Sequence, residues 1–139
     1  MTDEDKKLLL TDLCGRLPYG LKVKVTDVDG FTFEGELRII SKGWCKLHIS
    51  DPKKKARVKN KVIPLNYIKP YLRPMSSMTK EEEAIYTNYQ IVVKGLGIVF
   101  EYNLDFVTEW LNSHHLDWRH LIQKGLALEA PEGMYKLKQ

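Results

Sequence analysis

The chain has 139 residues, 43% of them hydrophobic, and a formal net charge of +4; this suits one domain with a real core and argues against a disordered chain. No apolar run approaches the roughly 20 residues that span a bilayer, and the charged opening TDEDKK is the reverse of a signal peptide, so a cytoplasmic protein with no membrane partner is expected. The charge is uneven: residues 21–75 hold 13 Lys and Arg against 5 Asp and Glu, a net +8, while 1–20 carry −1 and 76–139 carry −3, which points to an anionic partner for the middle of the chain.

In chain order, Thr2 and Asp5 stand at capping spacing ahead of a helix over 3–13. Leu9, Leu10 and Leu13 form its apolar stripe, Asp3, Glu4 and Asp5 suit the positive end of its dipole, and Gly15 is placed to stop it. LPYG then turns the chain into residues 21–72, the stretch that carries strand alternation and most of the positive charge.

A period of two puts Leu21, Val23 and Val25 on one face of a first strand and Lys22, Lys24 and Thr26 on the other. Asp29-Gly30 makes a hairpin turn into FTFEGELRII, where Phe31, Phe33, Leu37 and Ile39 face inward with Gly35, a site for a bend or bulge. Thr32, Glu34, Glu36 and Arg38 face outward. After Ser41-Lys42-Gly43, a third strand sends Cys45, Leu47 and Ile49 inward and Trp44, Lys46 and His48 outward. DPKKKARVKN opens on a turn-favouring Asp-Pro, shows no apolar period and reads as a solvent loop. KVIPL is short and β-branched; Pro64 assigns it to a sheet edge or the entry to a turn. NYIKPYLRP follows as an aromatic tail.

Thr79 and Glu82 have capping-box spacing and start a helix of two to three turns, with Glu81 and Glu83 beside Glu82 in a solvated first turn. QIVVKGLGIVFEY reads as a second hairpin around Gly95-Leu96-Gly97, whose glycines serve a turn rather than a phosphate loop. A helix from Asn103 or Leu104 to Asn112 aligns Leu104, Val107 and Leu111, and also Phe106 with Trp110. Asp117 caps a short helix WRHLIQKG that ends at Gly125. Trp110 and Trp118 are assigned to packing. The tail offers an extended segment near Pro131.

The fold expected is α+β: a small SH3-like or Sm-like β-barrel or curled antiparallel sheet, with an N-terminal helix and short C-terminal helices. Residues 1–75 would form the helix and barrel, and 76–139 an extension packed on it as one unit.

DLCGRLPYG at 12–20, IKPYLRPMSSMT at 68–79, WLNSHHLDWRHLIQKGLALEAPEGMYK at 110–136 and the opening K-x-K-V of the first strand resemble a family of short uncharacterised proteins from gut Bacteroidales genomes and their phages and mobile elements. The resemblance implies a bacterial or phage accessory protein and carries over no activity.

Candidate chemistry is thin. His114, His115, Asp117 and His120 have metal-ligand side chains, but in a spacing that matches no convergent zinc arrangement; caps and core hydrogen bonds are the expected roles. A helix-turn-helix over 104–124 would offer only Arg119, His120, Gln123 and Lys124 as polar reach. Cys14 and Cys45, far apart, read as buried free thiols. Neither a catalytic residue nor a metal or other cofactor is expected, and the chain is read as a non-enzymatic binding module. The candidate nucleic-acid or polyanion contacts are Lys22, Lys24, Trp44, Lys46 and His48 on the outer sheet face, with Lys53, Lys54, Lys55, Arg57, Lys59 and Lys61 in the loop that follows. An aromatic flanked by cations can stack a base while lysines hold phosphates. The alternative is a structural or protein-interaction module in which the sheet edge and aromatic helices form the interface.

Overall fold

The computed structural model describes residues 1–58, 62–95 and 105–135, without the side chains of 92–94 and 105. Helix α1 (Asp3–Arg16) begins on a complete capping box: the Thr2 hydroxyl accepts from the Asp5 N–H at 3.1 Å and the Asp5 carboxylate accepts from the Thr2 N–H at 3.2 Å. Aspartate thus fills the position usually held by Glu or Gln. Those bonds hold the Asp5 carboxyl below its ordinary pKa. Gly15 does not stop the helix. It lies where an added Cβ would come within 2.9 Å of the Asn112 amide, so its role is close approach, and the chain runs on through a 3-10 turn, Leu17–Tyr19, to Gly20 at φ 70°.

The sheet curls without closing into a barrel, in the order Ile63–Pro64 (β4), Trp44–His48 (β3), Thr32–Ile40 (β2), Lys22–Thr26 (β1), Ile68–Leu72 (β5), Leu128–Glu129 (β6). Strands β1 (Lys22–Thr26), β2 (Thr32–Ile40), β3 (Trp44–His48) and β4 (Ile63–Pro64) form an antiparallel meander, and β1 also pairs with β5 (Ile68–Leu72). The β1–β2 loop is fixed by Asp27, whose carboxylate accepts from the Asp29 and Phe31 N–H groups at 2.9 Å each. Leu21, Val23, Val25, Phe33, Leu37, Cys45 and Ile49 are buried in one core, with Phe31 and Leu47 packed at its margin.

Ile39 breaks the expected alternation. The register shifts between Leu37 and Ile39, so Ile39 stands opposite Lys46, 49% exposed, and Ile40 takes the inward place opposite Cys45. One extra residue in a bulge exchanges the two faces for the rest of the strand. The bulge is therefore not at Gly35, which instead permits a close approach between strands: a Cβ there would lie 3.0 Å from both the Leu47 Cβ and the His48 carbonyl oxygen.

The lysine-rich segment is a helix, α2 (Pro52–Val58), rather than a loop. Asp51 caps it, accepting from the Lys53 N–H at 3.0 Å, and Pro52 occupies the first helical position, where its missing N–H costs nothing. The same Asp-Pro pair suits a turn or a helix start, and Val58 packing on the core favours the second. Pro70 is tolerated within β5 because β6 (Leu128–Glu129) pairs only with Tyr71 and Leu72, which leaves one side of the strand open at the proline.

Helix α3 (Lys80–Gly95) is longer than its sequence suggested: Gln90 to Gly95 are helical, so the first arm of the expected hairpin is absent, and its second arm lies outside the described residues. Helix α4 (Asp105–Ser113) buries Val107 and Leu111, whereas Phe106 is 48% exposed and Leu104 lies outside the described residues. Residues 118–125 form successive turns, not an α-helix. Asp117 still acts as their cap, accepting from the Leu121 and Ile122 N–H groups at 2.8 and 3.0 Å, and Gly125 at φ 74° closes the last turn. Trp110 and Trp118 are half-buried; the first stacks on Tyr86, and the indole N–H of the second donates to Asn112.

Two buried polar clusters join these parts. Arg16, fully buried, donates to Asp12 at 2.8 Å and to the Leu116 carbonyl at 2.7 Å, and Asp12 also accepts from Arg119 at 2.8 Å. Glu82 is buried rather than solvated: it accepts two bonds from Arg73, at 2.7 and 2.9 Å, one from the Thr79 N–H, and faces His114 Nδ1 at 2.8 Å. The Arg73 bonds, with the Thr79 N–H and His114, hold its carboxyl down to about 2 against the opposing effect of burial. No described helix is long and apolar enough to cross a membrane.

Candidate nucleic-acid interface

Alternation on β1 and β3, together with the α2 cap, brings part of the expected basic set together. Lys22, Lys24, His48 and Lys54 line one groove of about 460 Å³ on the outer sheet face, with Glu34, Glu36 and Asp51 also on its walls. Lys24 is flanked across the strands by Lys69 of β5 on one side and Glu34 of β2 on the other. Two lysines placed directly opposite repel, which an anion on that face would relieve. Lys22 is positioned by the C-terminal segment: its ammonium donates to the Met134 carbonyl at 3.1 Å, and its N–H donates to the Tyr135 hydroxyl at 3.0 Å.

Both sheet carboxylates have partners within the chain. Glu34 accepts from the Tyr71 hydroxyl at 2.7 Å, and burial together with that carboxylate pushes the phenol up to about 12. Glu36 lies 3.6 Å from Arg38. They lower the positive potential of the groove without removing its lysines.

The other expected contacts are spread out. Trp44 and Lys46 are half-buried on the same outer face, but Trp44 pairs with Pro64 toward the β4 edge, about 13 Å along the strand from His48 at 3.3 Å per residue. Trp44 does not line the groove. Lys53 and Lys55 are exposed on α2, and Arg57 turns to the Phe31 ring. Lys59 and Lys61 lie outside the described residues. Lys69 and Tyr71 were missed as parts of this face, although Ile68, Pro70 and Leu72 alternate with them; the proline hid the strand.

The remaining candidates serve the fold. His115 ends α4 at φ 60° in a Schellman turn, with its own N–H donating to Asn112 and that of Leu116 to Leu111, a place usually taken by glycine. Its ring stacks on Tyr135 at 3.6 Å; burial, with Arg16 and Arg73 nearby, pushes it down to about 4. His120 is exposed. Cys45 is buried, and burial pushes its thiol up to about 12, whereas Cys14 is exposed, contrary to expectation. Among the described residues no three His, Cys, Asp or Glu side chains are grouped to hold a metal ion. Compared with protein-family models, curated proteins and solved structures, the chain matches none.

Proposed function

We propose that the protein is a non-enzymatic binding module whose outer sheet face takes a polyanion, with single-stranded or structured nucleic acid as the ligand class. The observation that carries this reading is the groove in which Lys22, Lys24 and Lys54 converge beside His48, with Lys69 adding a cation next to Lys24. Spaced ammonium groups along an open groove suit a phosphate backbone, and the engaged carboxylates leave room for selectivity among anions. A four-strand meander whose first strand also pairs with a fifth supports the SH3-like or Sm-like outline for this face. The resemblance to phage and mobile-element proteins supports a bacterial or phage accessory role.

Fluorescence titration with single-stranded DNA and RNA over a series of salt concentrations tests the reading. The expected result is binding whose log K falls with log salt, with Lys24→Ala and Lys54→Ala each lowering the slope by about 0.7. A Lys53/Lys54/Lys55 triple alanine variant should lose more than Trp44→Ala, since Trp44 stands apart from the groove. Affinity no better than about 100 μM at low salt for either nucleic acid, the weak end of non-specific binding, would rule the proposal out.

A second reading, a protein-interaction module, is favoured by a different observation: Ile85 and Ile91 of α3 and Phe106 of α4 are exposed. Sedimentation of the purified protein that depends on concentration, and is abolished by Phe106→Ser, would support it over the first.

A further inference from the structure

A second pocket, of about 390 Å³, opens between the β1–β2 loop on one side and the end of α2, β4 and the 65–67 turn on the other. Phe31, Phe33 and Tyr67 supply aromatic surface to its walls, and Asp27 and Asp29 supply carboxylates. The Phe31 and Phe33 rings lie 5.6 Å apart at 35°. Over the Phe31 ring, 3.8 Å from its centre, stands the guanidinium of Arg57. Among the described residues neither Asp27 nor Asp29 is ion-paired, and the Asp29 side chain makes no hydrogen bond.

An aromatic face beside carboxylates that have no cationic partner among the described residues attracts a cation: the ring quadrupole is negative over its face, and the carboxylates add a Coulombic term. Arg57 shows which cation fits, because a planar guanidinium stacks on a ring as an ammonium does not. Its contact is an exposed one on a seven-residue helix, so another cation can displace it at little cost. We propose that this pocket binds the guanidinium of an arginine side chain on a partner peptide, and that Arg57 occupies the place when no partner is present. Charge complementarity carries the choice of partner: the pocket has aspartates within an otherwise basic segment, so a cationic side chain is drawn to this one part of it.

N-acetyl-arginine amide, its lysine counterpart and the neutral isostere N-acetyl-citrulline amide are titrated while the ring signals of Phe31, Phe33 and Tyr67 are followed by NMR. Saturable shifts are expected with the arginine amide alone, at millimolar concentration, as befits a single side chain. Arg57→Ala, which removes the competing guanidinium, should bind it about two- to fivefold more tightly, and Asp29→Asn, which leaves the loop bonds of Asp27 in place, should bind it more weakly. Amide dispersion in the variants reports that they are folded. The proposal is overturned if citrulline or lysine amide shifts the rings as strongly as the arginine amide, if nothing binds up to about 50 mM, or if Arg57→Ala binds no better than the parent.

Discussion

Between Leu21 and Leu72 no charged side chain is buried among the described residues, whereas the buried set around them includes Asp12, Arg16, Arg73, Glu82, Asn112, His115 and Asp117. The sheet is held by many apolar contacts of similar kind, each replaceable in part by its neighbours. The flanking segments add to their own apolar contacts a few buried polar atoms with specific partners, and a buried charge that loses its partner has nothing to take its place. The difference predicts graded losses in the sheet and abrupt, pH-dependent losses outside it.

Arg73→Met should be among the most damaging single changes: it leaves Glu82 buried without its cation and should cost about 3 to 5 kcal/mol at neutral pH in urea unfolding. Because protonation of Glu82 relieves that penalty, the loss should shrink as the pH falls through about 4.5 toward 2. An equal loss at pH 7 and pH 3 would show that Arg73 acts through packing alone. Phe33→Ala should cost a similar 3 to 5 kcal/mol, roughly independent of pH over the same range. A thermal melt unchanged by it would remove the sheet core from the account.

Acid titration sharpens the contrast further. His115 is held at about 4, below its ordinary value near 6.5, and Glu82 at about 2, below its ordinary 4.5. In both windows the folded protein binds fewer protons than the unfolded chain, so stability rises with pH. The His115 contribution is complete above about 6.5 and lost by about 4; that of Glu82 is complete above about 4.5 and lost by about 2. Each should be on the order of 2 to 3 kcal/mol. His115→Gln should flatten the upper limb and spare the lower one, as read by urea midpoints at half-unit steps of pH. The smallest effect should be at Ile39: exchange for Thr should change stability by less than about 0.5 kcal/mol, since the bulge puts it outside. A loss of several times that would mean the register shift is wrong.

Much of the sheet was legible because its rule is local. Val23, Phe33 and Cys45 can be assigned to a face from their neighbours alone, and the turn at Asp29-Gly30 and the box at Thr79-Glu82 follow from residues at most three apart. The basic face was legible for the same reason, as far as Lys22, Lys24 and His48 were concerned. Its convergence with Lys54 was not, because Asp51-Pro52 could open a turn or a helix, and only packing of Val58 chose between them.

By itself, then, the sequence determined the alternation of the first three strands, the caps and which sheet face carries the charged residues, since these depend on periodicity and on bonds within a few residues. Tertiary structure alone decided the bulge that turns Ile39 outward, the parallel pairing of β6 with β5, and the distant partners of Arg16 and Glu82. Arg16 meets Leu116 across a hundred residues, and Glu82 meets His114 across 32. No local pattern encodes such a meeting; it exists only once the apolar faces have packed and brought distant polar groups into a place where water cannot satisfy them.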